Sequence, residues 1–225
     1  HELNTPLNWM SAARQADRSA VDPELRAAMS AVEAGQQRMI DLVGTVLRYF
    51  DIVGEDPAGV ARVPVAPMWL VDDLLREFAG EINARKLQVR NRVPADLVVL
   101  ASEQRLRRVL AILIDNAIQF SAEGQEVEIA GTASGALATL VVRDQGRGID
   151  PEHLGRLFEP FFMVGSHHRE GGFGLSLAMA RMLLQHMGGE IRVHSAGRGT
   201  GATFDISLPA ASAAPRPEAP QSPAG

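Results

Sequence analysis

The chain has 225 residues, enough for one large domain or two small ones with a buried core. Its 22 basic and 27 acidic residues give a net charge of −5 without a basic stripe, so a nucleic-acid partner is not expected. Cysteine is absent, which excludes disulfides, thiol catalysis and cysteine-ligated zinc, and no apolar run is long enough to predict a membrane span.

Two helices are predicted within residues 1–53. Asp22 is a suitable cap for the second helix, and Pro23 fits its first position. A lone helix pair has too little core to be stable, so an apolar face on the second helix predicts a homodimer that forms a four-helix bundle. The alternative is packing of this face onto the rest of the same chain. Its residues recur at steps of four and three with one polar interruption: Leu25, Met29, Val32, Gln36, Met39, Val43, Val46 and Phe50.

Glycine and proline mark residues 54–62 as a linker, and residues 63–209 then alternate helical and strand patterns. This order predicts an α+β fold, in which an α/β sandwich with helices on one face of a mixed sheet follows the helix pair. Residues 210–225 lack large apolar side chains and are predicted to be disordered. The predicted helices of the sandwich cover 69–85, 103–120 and 174–187, and the predicted strands cover 87–93, 96–101, 126–133, 136–144, 190–195 and 203–209.

Glycine-rich motifs in this second region carry the functional signal. The motif "DQGRGID" at 144–150 follows a strand and "GGFG" at 171–174 precedes a helix, but a tight turn and a helix start are the ordinary alternatives. Neither motif is a phosphate loop, because no GK[ST] follows, and neither fits the dinucleotide fingerprint. Their order is more specific: "DNAIQFS" comes before them, "LFEPFF" between them and "GRGTGATF" after them.

In this order the motifs resemble the ATP-binding domain shared by sensor histidine kinases, DNA gyrase and heat-shock chaperones, which has the Bergerat-type fold. With "HELNTP" at residues 1–6, the chain resembles a histidine kinase. The resemblance implies a dimerisation and phosphoacceptor domain over 1–53 and a catalytic ATP-binding domain over 63–209. It also implies a homodimer that uses ATP and Mg²⁺ and has the receiver domain of a response regulator as its partner.

The residue types of these motifs suit a nucleotide. Asp144 offers a carboxylate that accepts a hydrogen bond from the exocyclic amine of adenine and disfavours a guanine carbonyl at the same place. Gly146 and Gly148 allow the backbone to approach the base closely. Asn116 supplies an amide oxygen, a hard ligand suited to Mg²⁺.

The phosphate end of the predicted site lies before the helix that follows "GGFG". Gly172 and Gly174 leave backbone N–H groups at the start of that helix open to phosphate oxygens, and Leu175 belongs to the same predicted site. Thr203 is expected to complete the pocket wall. Residues 163–171 are predicted to form a lid over the nucleotide.

The resemblance assigns the phosphoryl-transfer chemistry to the first motif. His1 takes the position of the phosphoacceptor, which attacks the γ-phosphoryl group, and Glu2 the position of the general base. Thr5, one helical turn from His1, would orient water when the enzyme acts as a phosphatase toward its partner. Pro6 lacks a donor for the carbonyl of Glu2, so we expect a kink just beyond the histidine.

Three positions depart from the family pattern. Ile112 stands where many kinases have asparagine and gyrase-like ATPases have the acid that activates water, which argues against an ATP hydrolase. Gln119 replaces a common phosphate-facing lysine, and Ser176 replaces a glycine. A weakly active or inactive ATP-sensing dimeric scaffold is therefore the alternative to an active kinase. We expect a cytoplasmic fragment preceded by an upstream region, in which a sensor or a membrane span would lie.

Overall fold

A computed structural model describes residues 23–56, 59–164 and 173–211. The predicted site residues His1, Glu2, Thr5 and Gly172 lie outside these ranges, as does most of the predicted lid. The chain separates into two compact units, which meet within one long helix between Thr45 and Val46. The domain boundaries that the sequence suggests, at residues 53 and 63, stay a prediction.

Helix α1 (Pro23–Gly54) follows the predicted second helix closely. Most of its predicted apolar face is exposed in the single chain, with Met39 67% exposed and Val32 58%. None of the helices in the described ranges is long and apolar enough to cross a membrane. This exposed apolar face of α1 is the surface through which we propose that the chain dimerises.

The last turns of α1 belong to the second unit. Ile52 is 3% exposed there, and Val46 and Tyr49 pack against the same core. Beyond the helix end, Glu55 Oε2 lies 2.5 Å from Nη2 of Arg105. The second unit therefore includes a helix end that the sequence assigns to the preceding domain.

The second unit contains a five-stranded sheet and a two-stranded sheet. In the larger sheet the strands lie side by side in the order β2, β4, β5, β7, β6; β2 and β4 are parallel and the other pairs are antiparallel. Strands β1 and β3 form the smaller antiparallel sheet. The predicted mixed sheet is confirmed. In chain order the elements are β1 (Val63–Val65), α2 (Pro67–Glu77), α3 (Ala79–Ala84), β2 (Gln88–Arg92), β3 (Val99–Ala101), α4 (Glu103–Phe120), β4 (Glu126–Ser134), β5 (Leu137–Asp144), α5 (Pro151–Leu154), α6 (Ser176–His186), β6 (Glu190–His194) and β7 (Thr203–Pro209).

Helices α4 and α6 pack against each other and over strands β5 and β6. Helix α4 has the length that its apolar period predicts, and it ends where the Ser121 hydroxyl turns back to donate to the carbonyl of Ala117 at 2.6 Å. The single helix predicted over 69–85 is wrong. The structure has α2 and α3 instead, because the backbone leaves helical geometry at Phe78, where φ is −82° and ψ is 8°.

The core lies between the helices and one face of the larger sheet. In β7, Phe204, Ile206 and Leu208 are buried and alternate with half-buried residues, as expected for a strand covered on one face. Ala210 pairs with Val99 after the strand ends. Ala211 then donates to the carbonyl of Val98 at 2.9 Å. These two alanines belong to the ordered domain, so the disordered tail predicted from residue 210 starts too early.

Candidate functional site

A cavity of about 290 Å³ opens where the C-terminal half of α4, the segment after β5 and the start of α6 come together. Its apolar lining suits a flat aromatic ligand, and polar groups among it could fix that ligand's orientation. The apolar residues around it are Phe120, Ile149, Leu157, Phe162, Met163, Val164, Leu177, Ala202 and Phe204, and the polar ones are Asp115, Asn116, Gln119, Asp144, Arg147 and Ser176.

Asp144 is fixed in the cavity wall by backbone hydrogen bonds. Its Oδ1 accepts from the N–H of Gly146 at 2.8 Å and from the N–H of Ala202 at 3.1 Å. The residue is 8% exposed, and this burial raises the pKa of its carboxyl, while the two hydrogen bonds act in the opposite direction. A buried carboxylate held by one oxygen is a rigid acceptor, and its other oxygen suits an amine donor on a ligand.

Gly146 is required at its position by the backbone around it. A Cβ atom there would lie 2.2 Å from the carbonyl oxygen of Phe120, the last residue of α4. The next residue, Arg147, donates from its N–H to the same carbonyl at 3.1 Å. The end of α4 and the loop after β5 are therefore in direct contact. Gly146 does not itself line the cavity, but it sets the position of that loop.

The loop after β5 is also hydrogen-bonded to the glycine-rich segment before β7. The N–H of Gly201 donates to the carbonyl of Gly146 at 3.0 Å, and the N–H of Gly199 donates to the carbonyl of Arg147 at 2.6 Å. Gly148 has φ +68°, and a Cβ there would lie 2.0 Å from the carbonyl oxygen of Gly197. The two glycine motifs thus form one backbone platform, in which side chains would prevent the close approach.

Helix α4 brings three polar side chains to the cavity, those of Asp115, Asn116 and Gln119. Asn116 has a buried Nδ2 with no hydrogen-bond partner among the described residues. Asp115 also lines the cavity, and burial, followed by the charge of Glu81, raises the pKa of its carboxyl. A buried amide donor without a partner is costly unless a ligand completes it. The Asn116 amide therefore fits a nucleotide with its cation, since its nitrogen can donate to phosphate and its oxygen can bind Mg²⁺.

The start of α6 forms the opposite wall. Gly174 has φ +68°, and its carbonyl accepts a hydrogen bond from the N–H of Phe161 at 2.8 Å. Leu175 is fully buried beneath this turn and does not reach the cavity, whereas Ser176, the first residue of the helix, does. The two ends of the predicted lid are therefore held together by the contact between Phe161 and Gly174. No side-chain cap is present at the N-cap residue of α6, and Ser176 beside it lines the cavity, so this helix start is suited to bind an anion.

The structure brings together Asn116, Asp144, Gly148 and Gly174 in one cavity. It does not place Thr203 there. Since side chains in a strand alternate, the neighbours of Thr203, Ala202 and Phe204, form that wall instead.

Arg147 lines the cavity and was missed in the sequence. Its guanidinium carbon lies 3.9 Å from the centre of the Phe120 ring. The signal was present, because this arginine stands between the two glycines of "DQGRGID". Ile112, a position where the family pattern differs, packs against the core instead of lining the cavity.

Residues 101–212 match the family of histidine kinase-, DNA gyrase B- and HSP90-like ATPases. The match covers the cavity and four of the five strands of the larger sheet, since β2 lies before it. This part of the chain is an ATP-binding domain of that family, which agrees with the fold and with the carboxylate and glycine loops around the cavity.

Two curated relatives extend the similarity over nearly the whole chain. The sensor protein TorS of Escherichia coli strain K12 is 29% identical over 214 residues, which cover 93% of this chain and 23% of TorS. The sensor-like histidine kinase SenX3 of Mycolicibacterium smegmatis is 30% identical over 217 residues, which cover 93% of this chain and 55% of SenX3. The chain thus spans about a quarter to about half of the length of these relatives.

A solved structure agrees with this assignment. Full-length ShkA, crystallised in complex with AMPPNP, aligns with a TM-score of 0.71 and 28% identity over 96% of this chain and 45% of that one. Over nearly its whole length the chain is similar to sensor histidine kinases, and residues 101–212 form an ATP-binding domain of the type shared with gyrase B and HSP90.

Proposed function

We propose that this chain is an ATP-dependent protein-histidine kinase that phosphorylates its own His1 and passes the phosphoryl group to an aspartate of a response regulator. The observation that supports this most directly is the buried carboxylate of Asp144, which backbone hydrogen bonds anchor in the wall of the cavity. A carboxylate in this position accepts from an amine and repels a carbonyl oxygen, so adenine is preferred to guanine. The reaction itself is proposed from the similarity of the chain to sensor histidine kinases.

Different residues of the cavity would bind different parts of ATP. Asp144 would bind the base, Asn116 would hold Mg²⁺ through its amide oxygen, and the start of α6 would receive phosphate oxygens. Bound Mg²⁺ would neutralise charge on the phosphates. The role that the sequence predicts for Gly172 and Gly174 is to leave the backbone N–H groups at this helix start accessible. Phosphoryl transfer depends mainly on in-line positioning and charge stabilisation, so these binding contacts are also the catalytic contribution of the domain.

At the other end of the reaction, the neutral imidazole of His1 attacks the γ-phosphorus while Glu2 accepts its proton. The bond from the γ-phosphorus to the bridging oxygen breaks, and ADP leaves. Thr5 serves the reverse activity, in which it orients water toward the phosphorylated regulator. A homodimer, formed through the exposed apolar face of α1, would carry these residues in a four-helix bundle.

Incubation with γ-labelled ATP and Mg²⁺ tests the proposal. We expect label on the protein that is lost in acid and stable in base, as a phosphohistidine requires. A His1→Gln variant should lose the label completely and still bind ATP, because the nucleotide site lies in a separate domain.

Two results would contradict the proposal. Label retained in His1→Gln would remove His1 from the mechanism. Normal ATP binding with no label on the unaltered protein would instead favour an ATP-sensing scaffold. Transfer to a purified receiver domain, followed by loss of label from the kinase, would then test the second step.

A further inference from the structure

Ser195 follows β6 directly, and its hydroxyl joins the loop after β5 to the glycine-rich segment before β7. Its Oγ accepts a hydrogen bond from the N–H of Ile149 at 2.9 Å and donates to the carbonyl of Gly201 at 2.7 Å. The contacts of Oγ with Gly197 and Thr200 are longer, at 3.4 and 3.5 Å. A serine hydroxyl has a single proton to donate, so the short contact with Gly201 defines its direction.

The peptide group that accepts this hydrogen bond also holds the carboxylate of the cavity. The carbonyl of Gly201 and the N–H of Ala202 belong to one planar peptide unit. That N–H donates to Oδ1 of Asp144 at 3.1 Å. A hydrogen bond to the carbonyl polarises the peptide and strengthens the bond that its N–H donates. Ser195 therefore acts on Asp144 through one intervening peptide group, although it does not itself line the cavity.

On its acceptor side, Ser195 holds a residue of the cavity wall. Ile149 lines the cavity, and its N–H has the Ser195 hydroxyl as its partner. An ion pair between Arg198 and Asp150 joins the same two segments nearby, with Nη2 and Oδ2 2.7 Å apart. The Arg198 side chain is 82% exposed, so solvent screens this pair and it contributes little. The half-buried hydroxyl of Ser195 is the side-chain contact that reaches the cavity wall.

We propose that Ser195 is a positioning residue of the nucleotide site, which orients the peptide between Gly201 and Ala202 and thereby the Asp144 carboxylate for its hydrogen bond to adenine. The inference rests on the proposed function, because it takes adenine as the group that Asp144 binds. It extends the base end of the site to a hydroxyl that lies outside the cavity.

Calorimetry of the whole chain with ATP and with adenosine tests this role. We expect Ser195→Ala to weaken the binding of both ligands about fivefold, because the lost hydrogen bond supports recognition of the base, which the two ligands share. Ser207→Ala is the matched control. The Ser207 hydroxyl donates to the carbonyl of Glu190 on the neighbouring strand at 3.5 Å, and the residue does not line the cavity. Its replacement should leave both affinities unchanged.

A double-mutant cycle with Asp144→Asn distinguishes positioning from a merely structural role. In the Asp144→Asn background, Ser195→Ala should weaken binding less than about twofold, because the charged group that the peptide holds is gone. Ser195→Thr keeps the hydroxyl and should bind adenosine within about twofold of the unaltered chain. This variant tests the inference even where the alanine variant does not fold.

Four outcomes would overturn the inference. They are unchanged affinity in Ser195→Ala, a loss confined to ATP, an equal loss with and without Asp144→Asn, and a loss in Ser195→Thr as large as that in Ser195→Ala. In each of them the unaltered chain still binds ATP, so the proposed function stands. Failure of the unaltered chain to bind ATP would instead refute the proposed function and, with it, this inference.

Discussion

At Asp144, the loss of solvating water disfavours the charged form of the side chain. The carboxyl is buried and its pKa is raised, and hydrogen bonds from two backbone N–H groups offset part of the lost solvation. In the unfolded chain the same carboxyl has its ordinary pKa. Its contribution to the free energy of unfolding is therefore fully present below that ordinary pKa and is lost as pH rises through the raised one. At neutral pH the charged, buried carboxyl therefore lowers the free energy of unfolding. We propose that it is present for ligand recognition.

Replacement of Asp144 by Asn separates stability from binding. The neutral amide keeps an oxygen for the N–H groups of Gly146 and Ala202 and removes the buried charge. We therefore expect a melting temperature at neutral pH that is equal to or above that of the unaltered protein. ATP affinity should fall about tenfold or more, because a charge-assisted hydrogen bond to the base is lost.

Calorimetry and thermal melts across acidic and neutral pH check both effects. In the unaltered protein, ATP affinity should fall on acidification at a higher pH than an ordinary aspartate would give, whereas the Asn variant should lack this component. Unchanged affinity in the variant would refute the adenine contact. A large fall in melting temperature would show that Asp144 has a structural role.

At the scale of elements, the site depends on contacts between backbones. The loop after β5 touches the end of α4 at Gly146 and the segment before β7 at Gly148. Backbone atoms cannot be displaced as easily as the end of a flexible side chain. A methyl group at either glycine must therefore separate two elements that both carry site residues.

Gly146→Ala is the direct test of this contact. Its methyl group would lie 2.2 Å from the carbonyl oxygen of Phe120, so we expect a loss of about 1–3 kcal/mol in the free energy of unfolding and a weaker ATP complex. Gly155→Ala is the control, since Gly155 has ordinary helical φ and no atom within 4 Å of the added carbon. It should change stability by less than about 0.5 kcal/mol, measured by chemical denaturation. Equal effects in the two variants would contradict the crowding argument.

The elements and part of the site followed from local patterns. Helix α4 is clear in the sequence because apolar residues recur at helical spacing from Leu106 to Ile118. The sequence does not indicate the helix break at Phe78, because no proline stands there and apolar residues continue at helical spacing. Thr203 could have been assigned correctly, because strand alternation puts Phe204 and Ile206 on the core face. The two flanking glycines marked Arg147 as a candidate site residue, but its position at the cavity became clear only with its contact to Phe120.

At the scale of the whole molecule, the exposed apolar face of helix α1 predicts a protein partner. Many of its exposed residues are large and apolar, and they form a strip on one helix face with one polar interruption at Gln36. Such strips mark interfaces in soluble proteins. The sequence spacing and the exposure in the structure agree on five of them, which are Met29 (41% exposed), Val32 (58%), Met39 (67%), Val43 (53%) and Phe50 (61%).

A charge on this strip should break the proposed homodimer. Met39→Asp would bury an unpaired carboxylate at the interface, so we expect a dissociation constant at least about tenfold higher by sedimentation. Ala34→Asp adds the same charge at an exposed position of α1 outside the strip and should leave the dimer intact. ATP affinity should be the same in both variants. A monomer at micromolar concentration for the unaltered chain would refute the dimer.

The backbone platform beside the cavity joins residues 144–148, which follow β5, to residues 197–202, which lie between β6 and β7. Neither segment can make this surface alone. The platform therefore requires that β7 is paired between β5 and β6 in the sheet. A bound ligand should therefore stabilise the ATP-binding domain against unfolding as a single cooperative unit. A chain truncated before residue 197 would lack one side of this platform and should not hold the base.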